Sequence, residues 1–572
     1  MTDSFDFIIV GGGTAGCLLA ARLACSKKKP SVLLVEMGGE NSDIADRVPY
    51  ERYLTAFKSP AMELGYQTTP QHALDGAQLP YARGKGLGGS SAINFMAYTR
   101  GPAADYDRWA DLVGDEDWGW MKTKERFKNI ECFRGSVPEH LARYSRPDMD
   151  SYGTDGLMKI SQPSQWELET QIIMDALTEL GHPINLDLNT GNPIGVAISV
   201  LSASDGLRTT SSSAYLSSVN DSNLTIWTNS MVTRILLEGK RAVGVEMLDA
   251  RTVSARLEVI LCAGAIDTPK LLLLSGIGPA DELSALNIKV HHDLPGVGKN
   301  LQDHSSVCLT ELMGGPFAER TVFSLSPEKV EEAHRQWRTD HTGPLSFYYS
   351  SGVSACVKDS SWFEMEEFKQ LPAEEQRFIK SATVPTHEMF VGGPLYPPTI
   401  FQFDNKDDGF LSNVAILMNP QSRGSVRLRS SNPTDPPLID LGYMMHPYDR
   451  RSMIESVRRA MQLPKTKRLS KYWKGPINVP CGETDEDIWR FIKRELSPVW
   501  HANGTVKMGK PDDKDVCLDS KLRVRGIGSL RVADLSICPK TVNNHAQSTA
   551  YLVGEFAAEK IIEEYGLEWR NG

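Results

Sequence analysis

The stretch Arg83–Asn94, Arg-Gly-Lys-Gly-Leu-Gly-Gly-Ser-Ser-Ala-Ile-Asn, gathers residue types suited to holding an anion. Gly84, Gly86, Gly88 and Gly89 allow the backbone a positive φ and a close approach to a ligand. Ser90 and Ser91 supply hydroxyl donors, and Arg83 and Lys85 bring positive charge. Such a loop wraps an anionic, planar ligand; standing alone it would read as a surface loop. A cluster upstream favours the ligand. Gly11-x-Gly13-x-x-Gly16 is followed by an acid, Glu36, 20 residues past Gly16. This is the spacing of a dinucleotide-binding βαβ unit. Gly11 makes the tight turn, Gly13 admits a diphosphate and Gly16 lets a helix close on a strand. Thr14 and Ala15, between the second and third glycines, are expected cofactor contacts, and the free N–H groups and dipole of the helix N-terminus favour the diphosphate. Glu36 is placed to accept ribose hydroxyls.

The elements that must position these residues are legible around them. Phe5–Val10 is a short apolar run that reads as a buried parallel strand, Cys17–Leu23 has an apolar helical pattern, and Ser31–Glu36 reads as a second buried strand. The pattern does not separate FAD from NAD, since both carry adenosine diphosphate; the acid argues only against a 2′-phosphate. A second dense motif spans Gly264–Gly278, after the strand-like run Val259–Cys262. Thr268 is expected to cap a helix with Pro269 at its first position, ending at Gly276. Alone, this motif reads as scaffold.

Together these segments resemble the glucose-methanol-choline (GMC) family of flavin-dependent oxidoreductases. Arg83–Asn94 is similar to that family's first signature and Gly264–Gly278 to its second. The likeness continues through Gly296–His304, Asn419–Val426 and Arg531–Asp534, in family order over nearly the whole chain. The resemblance implies FAD as cofactor. It also implies an active-site pair at His501 and His545, 44 residues apart. In alcohol oxidation of this kind a proton leaves O–H and a hydride passes to flavin N5. His501 is the expected base; His545 would hydrogen-bond the substrate oxygen and support the alkoxide as it forms. Less directly, the resemblance brings Val232 near the adenine, Asn94 and Ala546 near the isoalloxazine, and Asp534 into the segment over the diphosphate. Ile93 stands where some members attach the flavin through His, so non-covalent FAD is expected. Ala502, Asn503 and Cys538-Pro539 depart from the common pattern close to the expected reaction centre.

The flavin motifs lie at both ends and in the middle of the 572 residues, with no linker, charge block or repeat. The expected fold is therefore α/β: a Rossmann-like FAD-binding domain from 1–160, 225–310 and 510–572, interleaved with a substrate domain from 161–224 and 311–509 on an antiparallel sheet. A helix is expected over Glu167–Leu180, and strands over Val384–Tyr396 and Asn413–Asn419. Tyr98 and Phe347-Tyr348-Tyr349 read first as core; as pocket lining they would favour an apolar or aromatic alcohol. A net charge of −10 without a basic patch speaks against nucleic acid. No apolar run has the roughly 18 residues of a membrane span. Nine cysteines without CxxC suit reduced thiols. With no secretory or peroxisomal signal visible, the expectation is a cytoplasmic enzyme acting on a small alcohol, with O₂ or another acceptor reoxidising the flavin. The alternative is a flavin-containing, redox-silent cyclase or lyase of secondary metabolism using the same two histidines.

Overall fold

The computed structural model describes residues 3–569 apart from 136, 164, 220–221, 350, 394–402 and 404. Two sheets dominate. The first contains β1 (Ser4–Val10), β2 (Val32–Val35), β3 (Leu224–Trp227), β4 (Val232–Glu238), β5 (Arg241–Met247) and β6 (Thr252–Leu261). The second contains β7 (Ser305–Met313), β8 (Val353–Val357), β9 (His387–Val391), β10 (Gly409–Leu417), β11 (Trp473–Asn478) and the short β12 (Ser497–Pro498). The chain then returns to the first sheet with β13 (Leu530–Val532).

The first sheet runs β3-β2-β1-β6-β5-β4, with β13 also on β6. β1 is parallel to both β2 and β6, and β13 is parallel to β6. Strands covered on both faces have no polar side, which is why Phe7–Val10 and Val32–Val35 are unbroken apolar runs. Helix α1 (Thr14–Ala24) covers one face, and its fit depends on Gly16: a Cβ there would lie 2.0 Å from the Gly11 carbonyl oxygen. The second sheet is antiparallel in the order β8-β9-β10-β7-β11, with β12 also on β7. Helix α2 (Leu168–Glu179) puts Ile173, Met174 and Leu177 into the core beneath it. This is the helix expected over 167–180.

The strand expected over 384–396 is shorter, His387–Val391, and its last three positions fall outside the described residues. The strand expected from Asn413 begins earlier, at Gly409, and ends at Leu417. The second motif also differs from expectation. Its helix, α3 (Gly264–Leu274), starts before Thr268 and carries Pro269 inside. Proline removes the N–H that the Ala265 carbonyl would receive. The Thr505 hydroxyl donates to that carbonyl instead, at 2.7 Å, so the helix continues through the proline. Thr268 is freed from capping and donates to Asp534 Oδ2 at 2.6 Å. The C-terminal helix α4 (Gln547–Glu564) lies against α1, where a Cβ on Gly554 would be 2.9 Å from the Ala15 carbonyl oxygen. All nine cysteines are free, and among the described residues no helix is long and apolar enough to cross a membrane.

Candidate active site

A cavity of about 410 Å³ is bounded at one end by the tips of β1 and β6 and at the other by Ser306, Cys308, Val414 and Ile416 of the antiparallel sheet. The nucleotide end is built from backbone. Glu36, just past β2, accepts from the N–H groups of Gly12 (2.8 Å), Gly38 (2.8 Å) and Gly86 (2.9 Å). One carboxylate thus ties the fingerprint turn, the strand end and the Gly-rich loop together. Gly88 N–H donates to the Gly12 carbonyl at 2.8 Å and closes the same junction. Gly89, at φ +50°, passes so near the turn that a Cβ would sit 2.7 Å from Gly13 Cα.

Two glycines face open space instead. A Cβ on Gly13 would meet only the Cys262 carbonyl oxygen, at 3.9 Å, and one on Gly264 would meet nothing within 4 Å. Both line the cavity beside the start of α1. Bare backbone at a helix N-terminus, with an acid at the end of β2, fits the diphosphate and ribose of FAD. Asp534 holds α3 in place, accepting from Gly264 N–H (2.9 Å), Thr268 Oγ1 (2.6 Å) and Ser536 N–H (2.8 Å).

Gly11, Gly13, Thr14, Ala15, Glu36, Arg83, Gly89, Ser90, Asn94, Val232, Asp534 and Ala546 line the cavity, as do both histidines. Gly16 and Gly88 do not. Gly16 is spent on helix–strand contact, and Gly88 is turned toward Ser91 and Ser212. Gly88 closes the loop onto the fingerprint turn. Arg83 is anchored more than expected: its Nη2 donates to the Trp500 carbonyl, and its Nε to the Ala82 carbonyl at 2.6 Å. It joins the first loop to the segment carrying His501.

The histidine end is built from side chains. The rings of His501 and His545 lie 5.4 Å apart between centroids, at 80°. Trp500 precedes His501 at φ +59°, in the left-handed region that bulky residues avoid, and the Arg83 bond holds it there. His501 N–H donates to Asp303 Oδ1 at 2.7 Å, while Asp303 Oδ2 accepts from Tyr81 (2.6 Å) and Tyr443 (2.8 Å). His501 Nδ1 is 2.9 Å from His304 Nδ1. Burial, with His304, His545 and Arg83 nearby, pulls the His501 pKa well below the usual histidine value. His545 has a different partner: its Nε2 lies 3.2 Å from Glu388 Oε1, which also accepts from Ser354 Oγ at 2.7 Å. Burial acts to raise Glu388, but His545 and Ser354 outweigh it and hold the carboxyl below its ordinary value.

Sequence reasoning missed His304 and Glu388. Glu388 sits mid-strand in β9, and only the register Ser354↔Phe390 to Cys356↔Glu388 and the fold around it bring it to His545. The aromatics first read as core are packed as core, and the aromatic wall of the cavity comes from other residues. Phe347, Tyr348 and Tyr349 form a separate cluster with Phe323 and Trp337, and Tyr98 is core. Tyr53, Phe95, Phe390 and Trp500 line the cavity instead, with Tyr53–Phe95 and Phe95–Trp500 centroids 4.7 and 5.6 Å apart.

Comparison with known proteins agrees with this architecture. The GMC oxidoreductase family models match residues 5–306 and 420–554. An alcohol dehydrogenase [acceptor] of Pseudomonas putida is 32% identical over 573 aligned positions, covering 98% of this chain and 96% of its own. Among solved structures, Aspergillus oryzae formate oxidase, studied for its FAD modification, superposes with a TM-score of 0.87 at 26% identity over 99% of both chains. A fungal aryl-alcohol oxidase superposes at 0.86 and 25% identity, over 99% of this chain and 100% of its own. With both halves of the chain matched and the flavin-type cradle joined to the histidine pair, this protein belongs to the GMC oxidoreductase family.

Proposed function

We propose that the protein oxidises the CH–OH group of an apolar or aromatic alcohol to the carbonyl, with non-covalent FAD. The observation that carries this reading is the placement of His501 and His545 on the same cavity as the glycine loops, with their rings 5.4 Å apart. FAD, when bound, supplies the hydride acceptor. The chain's part is to hold the alcohol and take its proton. His501 is buried and stays neutral, and its Nδ1 is committed to His304, so Nε2 is the ring nitrogen left for the substrate and receives the hydroxyl proton when the ring proton sits on Nδ1. A proton on His545 would be met by the Glu388 carboxylate; among the described residues no carboxylate pairs with the His501 ring. That asymmetry favours His501 as base and His545 as donor to the substrate oxygen. Tyr53, Phe95, Phe390, Trp500, Val414 and Ile416 support an apolar or aryl body on the alcohol, in line with the aryl-alcohol oxidase likeness. Ile93, at the cavity wall, offers no nucleophile for a flavin tether, which supports non-covalent binding.

The test is anaerobic mixing of the yellow holoprotein with aliphatic, aryl, sugar and amino alcohols. Bleaching of the flavin by apolar or aryl alcohols is expected, and admitting air then separates O₂ from another acceptor. A flavin that no alcohol bleaches would overturn the redox reading in favour of the redox-silent cyclase or lyase. Acid precipitation should leave the flavin in the supernatant; a yellow pellet would show a covalent link.

A further inference from the structure

We propose that His304 sets the tautomer of His501 and so decides whether His501 can act as a base; the inference rests on the base role given to His501 above. His304 is fully buried, directly before β7. Its ring meets that of His501 edge-on, with centroids 5.2 Å apart and planes at 83°. The contact joins like atoms, Nδ1 to Nδ1, at 2.9 Å. His304 Nε2 is buried and has no hydrogen-bond partner among the described residues.

A neutral imidazole has one N–H and one lone pair, so only two arrangements satisfy this contact. In one, His304 Nδ1–H donates to His501. Neutral His501 then carries its proton on Nε2, and the nitrogen left for the substrate cannot accept. In the other, His501 Nδ1–H donates to the lone pair of His304, which keeps its proton on Nε2. Only here is His501 Nε2 a free lone pair. When His501 takes the substrate proton, its Nδ1–H stays on His304 and the bond becomes charge-assisted. The first arrangement would instead force two protons into a 2.9 Å gap.

A carboxylate often holds a catalytic imidazole in this way. Here the adjacent carboxylate, Asp303, is used by the backbone N–H of His501 and the hydroxyls of Tyr81 and Tyr443. The ring is left to a neutral group. Burial, together with the nearby His545 and against the pull of Glu388, takes His304 down to about 3, so it cannot become a competing cation near neutral pH. The ionisable groups acting on the pair are His545 and Glu388 beside His304, and His545 and Arg83 beside His501. His304 is therefore a positioning residue, acting on substrate only through His501.

The experiment combines ring-nitrogen NMR of histidine-labelled holoprotein with stopped-flow flavin reduction. His501 resonances are assigned by loss in His501→Ala. In the wild type, His501 Nδ1 should appear protonated and Nε2 bare near neutral pH. His304→Leu, which keeps bulk and removes the acceptor, should slow flavin reduction by about 100-fold with less than about a threefold change in alcohol affinity. His304→Asn, whose amide oxygen can accept, should recover to within about tenfold of wild type. A protonated Nε2 in the wild type, or equal rates in the Leu and Asn variants, overturns the proposal. The NMR measurement needs no folded His304 variant. If His501→Ala reduces flavin at the wild-type rate, the base assignment itself fails; if only the His304 results fail, that assignment stands.

Discussion

At the nucleotide end of the cavity, the three bonds described to the Glu36 carboxylate come from backbone N–H groups of Gly12, Gly38 and Gly86. At the histidine end, the bonds described to the two imidazole rings run to other side chains, His304 and Glu388. The first end is fixed by chain shape, the second by protons and charges. A substitution at the first end should therefore change whether the cofactor is held. One at the second should change how fast the held cofactor is reduced.

The largest effect expected belongs to the histidine end. His501→Ala should keep FAD bound while slowing anaerobic flavin reduction by about 1000-fold, or about 4 kcal/mol in the barrier. An unchanged rate would remove the distinction between the two ends. Gly16→Ala tests the other end. Its Cβ would meet the Gly11 carbonyl oxygen at 2.0 Å, and backbone cannot step aside as a side-chain tip can. We expect loss of about 3 kcal/mol of stability and of bound flavin, read by thermal melting and by the absorbance ratio of flavin to protein. A variant purified yellow with an unaltered Tm would show that the turn is not shape-limited.

Glu388→Gln sharpens the comparison, since it keeps a side chain able to meet His545 and removes only charge. Flavin reduction should slow by about 30-fold, about 2 kcal/mol, with FAD affinity unchanged. If FAD affinity falls instead, the two ends are not separable. The smallest expected effect concerns Asp303, which burial lifts from 3.8 to about 6 against the hydrogen bonds of Tyr81 and Tyr443. The folded protein holds this proton more tightly than the unfolded chain. Its stabilising contribution is complete below pH 3.8 and is lost as pH rises to about 6. Asp303→Asn should remove that fall, changing the Tm difference between the two pH values by about 2–4 °C. Parallel Tm–pH curves for the two proteins would contradict this.

The contrast also explains what could be read from the chain alone. Gly11, Gly13, Gly16 and Glu36 are legible because a turn, a close approach and a strand end impose residue type locally, within one βαβ unit. β1, β2 and the helix between them were expected for the same reason. The start of α3 was misread because Pro269 usually marks a first turn; the hydroxyl of Thr505, from a distant segment, lifts that restriction. Glu388 and His304 left no local signal. Glu388 is one polar residue within a strand and His304 one just before a strand, and the partner of each is fixed by sheet register and by the docking of remote segments. The aromatic wall was illegible for the same reason: Tyr53, Phe95, Phe390 and Trp500 converge only in three dimensions.

The contact of α4 with α1 carries a consequence for synthesis. Within this sequence the glycine turn that opens α1 is made about 540 residues before Gly554, which seats against Ala15, and before Glu555, which pairs with Arg22 at 2.9 Å. At about 5–20 residues per second, the interval between them is on the order of 30–100 s. During that time the flank of α1 that meets α4 lacks its partner, while β2, β3 and the segment around Ser211 can already pack on its other sides. One side of α1 therefore stays open for most of the translation of this chain, and that side closes only when the segment carrying Gly554 and Glu555 has been made.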